Sequence, residues 1–312
     1  MDNTIEKALQ RQMEAKLAAQ EKLDNEAEDI QPESTQAQES SIEQLMATQA
    51  VPAAVNVAPA TDTTVQDGYI DINVLELEQK GFVSINATRS QINEEYREIK
   101  RKLLKNAFGL LSSTLDRPNI IMVTSARPSE GKTFTAVNLA LSIAAEQDKT
   151  VLLVDADVLK PNVLRTLNAT AGSGLMEYLI GEEDNISDIL YHTNVDKLKI
   201  IPAGRSHHLS TELLASKKME ETIREFSSRY ADRVVIIDTP PMLGINESAV
   251  LAGFAGQAVV VVEEGKAKLN DIQKAVARLN PEMAIGFVVN KSTNTNSDDT
   301  GYYGYYYGSE QD

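Results

Sequence analysis

An octapeptide, Ala126-Arg127-Pro128-Ser129-Glu130-Gly131-Lys132-Thr133, joins the apolar run NIIMVTS to the helix-favouring stretch TFTAVNLALSIAAEQ. It has the spacing G-x4-GK[ST] of a phosphate loop, with alanine at the first glycine position. No other feature restricts the fold as much, because this loop works in one setting only. It must leave the C-terminal end of a strand and enter a helix, so that loop N–H groups and the helix N-terminus converge on phosphate. Lys132 then neutralises the β and γ phosphates, and the Thr133 hydroxyl reaches Mg²⁺. Ser129, Glu130, Gly131, Lys132, Thr133 and Phe134 are the expected nucleotide-binding residues.

The rest of the chain suits that setting. After NIIMVTS come TVLLVDAD, KLKIIPAG, RVVIIDTP, QAVVVVEE and AIGFVVN. Continuous apolar runs of this kind are strands covered on both faces. Between them lie helical patterns, notably 210–230 and 268–279. The alternation predicts an α/β fold of the P-loop NTPase type, a mostly parallel sheet with helices on both faces and ligands at the C-terminal strand ends. Function is therefore expected just after each strand. Two strand ends supply carboxylates there: Asp155 and Asp157 in VLLVDADVLKP, and Asp238 in VVIIDTPP. Beside a phosphate loop such groups are expected to hold magnesium, directly or through water.

The termini differ from this core. Residues 1–67 carry 13 acidic and 4 basic side chains, a net −9 of the chain's −16, and no aromatic residue. Stretches such as QPESTQAQESS predict a disordered extension, except at 4–23, where Ile5, Leu9, Met13 and Leu17 recur at helical spacing. That stripe is either a partner-docking helix or a solvated one. Nothing in the charge pattern makes a basic footprint for nucleic acid. The chain has no cysteine, and three histidines without metal-ligand spacing, so any metal must be held by oxygen. With no apolar run of membrane-spanning length and no signal-peptide pattern, a cytoplasmic location is expected.

The predicted units are thus an extension (1–67), a helical lead-in (68–117), a phosphate-loop domain (118–291) and a flexible tail (292–312). The tail holds five of the ten tyrosines, Tyr302, Tyr303, Tyr305, Tyr306 and Tyr307, among glycines. Such a segment presents its rings instead of packing them. It is either a sticky low-complexity end or a substrate.

The motifs SARPSEGKT, LLVDADVLKP, VVIIDTPP, GLMEYLIGE, IPAG and the tyrosine-rich end together resemble the bacterial P-loop tyrosine kinases, autokinases that regulate capsule and exopolysaccharide export. IEKAL and the stretch around NEEYREIKRKLL further resemble the subgroup associated with exosortase-type systems. The resemblance implies ATP and Mg²⁺ as cofactors. It implies that Lys132 and Thr133 bind phosphate and metal, that Asp157 and Asp238 organise the metal, and that Asp155 activates the incoming tyrosine hydroxyl. Lys132, Asp155 and Asp157 are the implied catalytic residues. Asn290 would sit by the adenine, or else cap the following turn. Also implied are a ring-shaped homo-oligomer joined through Glu94, Arg97 and Lys100, and activation by a membrane polysaccharide co-polymerase, or chain-length determinant, that recruits the chain to the inner face of the membrane. The resemblance also implies a phosphotyrosine phosphatase as a partner. Bare helix chemistry allows a second reading of residues 94–100, a solvated charged face.

Two positions depart from the family pattern: Leu159 stands where a basic residue is usual, and Lys100 where the ring motif has arginine. The rival class is the partitioning or site-selection ATPase, a nucleotide switch that modifies nothing. Its signature lysine would fall at Arg127. Tyr302 lies 12 residues beyond Asn290, which span at most about 40 Å and about 20 Å as a flexible chain. The tail can therefore reach an active site at the strand ends.

Overall fold

A computed structural model describes residues 68–86 and 90–292. The acidic extension, the stripe at 4–23 and the tyrosine cluster lie outside the described residues. In chain order the elements are β1 (Tyr69–Ile70), α1 (Val74–Gln79), α2 (Gln91–Phe108), a 3-10 turn (Leu110–Thr114), β2 (Ile120–Ser125), α3 (Lys132–Ala144) and β3 (Thr150–Asp155). Then come α4 (Val163–Thr166), α5 (Leu175–Ile180), a second 3-10 turn (Ile186–Ile189), β4 (Tyr191–Thr193), β5 (Leu198–Ile201), α6 (Ser210–Leu214) and α7 (Lys217–Ser228). The last are β6 (Arg233–Asp238), α8 (Glu247–Ala252), β7 (Gln257–Glu263), α9 (Leu269–Val276) and β8 (Ala284–Asn290).

One eight-stranded sheet has the order β1-β4-β5-β3-β6-β2-β7-β8. Every pairing is parallel except β4 with β5. Side chains alternate between faces along each strand, so each central strand divides between two cores. Ile121, Val123, Val151, Leu153, Val234 and Ile236 join one core with α3; Ile120, Met122, Leu152, Val154, Val235 and Ile237 join the other, with Met219, Ile223, Phe226 and Leu251. The fold class is the one that the alternation of strands and helices predicts.

α3 is buried almost all round, as a helix apolar on every side must be. The sheet covers one side and α2 helps to cover the other. Tyr96, Leu103, Phe82 and Val83 enter the same core as Leu139 and Ile143, and the rings of Phe82 and Phe134 lie 4.7 Å apart. The helical lead-in therefore packs as part of the phosphate-loop domain. The helix expected over 210–230 is two helices: Ser216 adopts an extended conformation and its hydroxyl accepts the Met219 N–H at 3.2 Å, starting α7 afresh.

Lys100 requires a correction. It is buried, and its ammonium donates to the Ser142 carbonyl in the last turn of α3 at 2.7 Å and pairs with Glu146 at 2.7 Å. It caps a helix end inside the chain and is not available to join subunits. The cause is helical rotation: at 100° per residue, position 100 lies about 120° from position 94. Glu94 and Arg97 do share the outer face, where they pair with each other. The next residue, Arg101, is exposed and falls close to the Glu94 direction.

Candidate active site

The phosphate loop bends because two of its residues adopt left-handed backbone conformations, Ser129 at φ 68° and Gly131 at φ 103°. Internal bonds fix the bend. Ser125 Oγ donates to the Arg127 carbonyl at 2.6 Å, and the Arg127 N–H donates to the buried Glu130 carboxylate at 2.7 Å. Gly131 is required twice over: a Cβ there would lie 1.9 Å from Asn290 Nδ2, and its φ suits glycine. α3 starts at once with Lys132, so its free N–H groups and its dipole face the loop.

Around the loop stand the strand-end carboxylates. Asp155 and Asp238 are direct neighbours in the β3–β6 register. Thr133 Oγ1 donates to Asp238 Oδ2 at 2.6 Å, and Lys132 Nζ lies 3.9 Å from Asp157 Oδ2. Asp155 accepts the N–H groups of Asp157, Asn162 and Val163, all within 3.0–3.1 Å, and so shapes the turn leading into α4. Burial pushes its carboxyl up to about 6. Burial also raises Asp157, with the Lys132 ammonium opposing the shift. Asp238 is raised well above the usual carboxylate range, first by burial and then by the neighbouring Asp155. Three buried carboxylates served by one ammonium form a site that needs more positive charge.

Asp238 Oδ1 is buried without a hydrogen-bond partner. An orphaned carboxylate oxygen two bonds from the oxygen that Thr133 contacts fits a hydrated magnesium ion. Among the described residues no group of three or more His, Cys, Asp or Glu side chains could hold a metal ion. The ion would therefore depend on phosphate oxygens and water for most of its shell, as magnesium at nucleotides does.

The structure thus brings Lys132, Thr133, Asp155, Asp157 and Asp238 together. The Phe134 ring belongs to the core with Phe82, which leaves only its backbone N–H facing the loop as a candidate phosphate contact. Asn290 Nδ2 donates to the Glu130 carbonyl at 2.9 Å, so this side chain braces the loop. Leu159 is exposed and leaves Lys160 as the basic residue of its turn. Two residues escaped sequence reasoning. Glu247 is buried near Asp157 and accepts the hydroxyls of Ser210 and Thr211 at 3.0 and 2.8 Å. Lys291 touches the loop itself. The position of Lys291 just beyond the last strand was the available signal; Glu247, in an ordinary helix start, offered none.

A cradle of loop N–H groups, an ammonium and a threonine–aspartate pair matches the phosphates of a nucleotide, which sets the chain in the P-loop nucleotide-binding class. Comparison with known proteins narrows the class. Residues 118–284 match the AAA domain family. Tyrosine-protein kinase YwqD of Bacillus subtilis (strain 168) is 31% identical over 229 residues, covering 72% of this chain and 92% of that protein. Tyrosine-protein kinase wzc of Salmonella typhimurium (strain LT2) is 32% identical over 196 residues, 62% of this chain, but the match spans only 27% of wzc. The kinase domain of the Escherichia coli tyrosine kinase ETK superposes with a TM-score of 0.55 at 25% identity, over 71% of this chain and 96% of that one. The chain belongs to the bacterial tyrosine-protein kinases built on this AAA domain, and it is a protein-tyrosine kinase.

Proposed function

We propose that the chain transfers the γ-phosphoryl group of ATP to Tyr302, Tyr303, Tyr305, Tyr306 and Tyr307 of a neighbouring copy, and through this modification regulates exopolysaccharide or capsule export. The supporting observation is the cluster of Lys132, Thr133 and three carboxylates at the strand ends, on the side from which β8 leads into the tail. Lys132 neutralises charge on the transferring group, the largest contribution a site of this kind makes. Thr133 and Asp238, with Asp157 close by, would hold Mg²⁺, which would add further charge neutralisation at the phosphates. Asp155, with its carboxyl raised to about 6, accepts the tyrosine proton as the phenol oxygen bonds to phosphorus and ADP leaves.

No described helix is long and apolar enough to cross a membrane. In this reading the cytoplasmic end of a membrane polysaccharide co-polymerase recruits and stimulates the kinase, and a phosphotyrosine phosphatase resets it. The rival nucleotide switch has less support: where it would place its signature lysine, Arg127 pairs with Asp271 of α9 at 2.7 Å. The deciding assay is mass spectrometry of the purified chain after Mg·ATP. Phosphotyrosine at 302–307 in wild type, and none in Lys132→Met, is expected. Equal phosphotyrosine in both samples would overturn the site assignment.

A further inference from the structure

Two consecutive residues at the end of β8 grip two consecutive carbonyls of the phosphate loop. Asn290 Nδ2 donates to the Glu130 carbonyl at 2.9 Å, and Lys291 Nζ donates to the Ser129 carbonyl at 2.6 Å. Lys291 is anchored in turn by Glu263 at 3.1 Å, and the Glu264 N–H holds the Asn290 carbonyl at 3.0 Å. In a planar trans peptide the C=O of one residue and the N–H of the next point in opposite directions. Holding the Ser129 carbonyl outward therefore turns the Glu130 N–H inward, and holding the Glu130 carbonyl outward does the same for the Gly131 N–H. These are the donors that a phosphate cradle needs. Ser129 itself sits at φ 68°, which a residue with a Cβ adopts only under constraint.

We propose that Lys291 is a positioning residue for phosphate binding, acting with Asn290 to orient the Glu130 and Gly131 N–H groups. Lys291 is also where the chain turns away from the sheet, at φ 56°, toward the tyrosine-bearing segment. The same residue thus joins the phosphate cradle to the root of the tail. The inference rests on the phosphate-binding reading of the loop, not on which tyrosines are modified.

Calorimetric titration of the full chain with ADP, and separately with pyrophosphate, tests it without any phosphorylation readout. Lys291→Met is expected to weaken both ligands about fivefold, equivalent to about 1 kcal/mol, with a melting temperature close to wild type; Lys291→Arg should stay within about twofold. Asn290→Ala should weaken pyrophosphate and ADP by the same factor, because pyrophosphate has no base. Loss of ADP binding alone in Asn290→Ala would return that residue to the adenine and remove half of the brace. Pyrophosphate affinity unchanged in Lys291→Met, or equal losses in the methionine and arginine variants, would overturn the proposal. If wild type binds neither ligand, the phosphate-loop reading fails first, a different result from a wild type that binds while its variants do not change.

Discussion

Asp238 is fully buried, with one oxygen accepting from Thr133 and the other without a hydrogen-bond partner among the described residues. A carboxyl whose pKa is raised on folding stabilises the fold while protonated. That contribution is complete below its ordinary value of 3.8 and is lost as pH rises through the raised value, near 6 for Asp155 and well above 3.8 for Asp238. Without metal or nucleotide, the wild-type protein therefore carries a local cost at neutral pH that Asp238→Asn lacks. Thermal melts in EDTA should show the variant gaining on wild type from pH 5 to 8, by at least about 3 °C at the upper end, while its kinase activity is lost. A gap that stays constant or shrinks with pH would refute the assignment. At Gly131, a methyl group would meet Asn290 Nδ2 at 1.9 Å and sit on a backbone at φ 103°. Gly131→Ala is expected to weaken ADP binding more than tenfold, measured by the same calorimetry, with the sheet intact by circular dichroism.

Among the elements, α2 separates two roles that its sequence merges. Its inner face holds Lys100 on the last turn of α3, where a cation offsets the helix dipole. Removing a charged, buried hydrogen bond costs about 1.5–3 kcal/mol. Lys100→Met should therefore lower the melting temperature by roughly 3 to 10 °C and leave the assembled mass unchanged. Arg97, half exposed and paired with Glu94, should behave in the opposite way: Arg97→Ala is expected to change the mass in light scattering and barely move the melt, since exposed pairs contribute about 0–1 kcal/mol. A mass unaffected by Arg97→Ala and by Arg101→Ala would remove α2 from the proposed interface. The same helix shows what sequence reading reaches. Residue types and three-residue spacing were legible, but the accumulated rotation that turns Lys100 inward appears only when the helix is packed. The phosphate loop and its carboxylates were legible because their chemistry fixes their place at strand ends. β8 was misread as a strand covered on both faces: Phe287 is 54% and Val289 62% exposed, because apolar composition cannot distinguish an edge strand from a central one. The two-residue β1 was too short to carry a pattern.

For the molecule as a whole, charge is the quantity that phosphorylation changes. Each phosphotyrosine adds about 1.5–2 negative charges, so five would add roughly 8 to 10 to a chain already at −16. Tails entering carboxylate-lined sites of neighbours should be repelled once modified, within a Debye length of about 8 Å. Sedimentation should find Lys132→Met assembled and wild type smaller after Mg·ATP; equal masses would sink the proposed switch. The strand order carries a consequence of a different kind. β2 lies between β6 and β7, and Val123 pairs only with Asp238 and Val259, both more than a hundred residues later. On a ribosome adding about 5–20 residues per second, this strand waits roughly 6 to 23 s before either neighbour has been made. The phosphate loop is therefore among the first parts of the domain to be synthesised and among the last to acquire its shape.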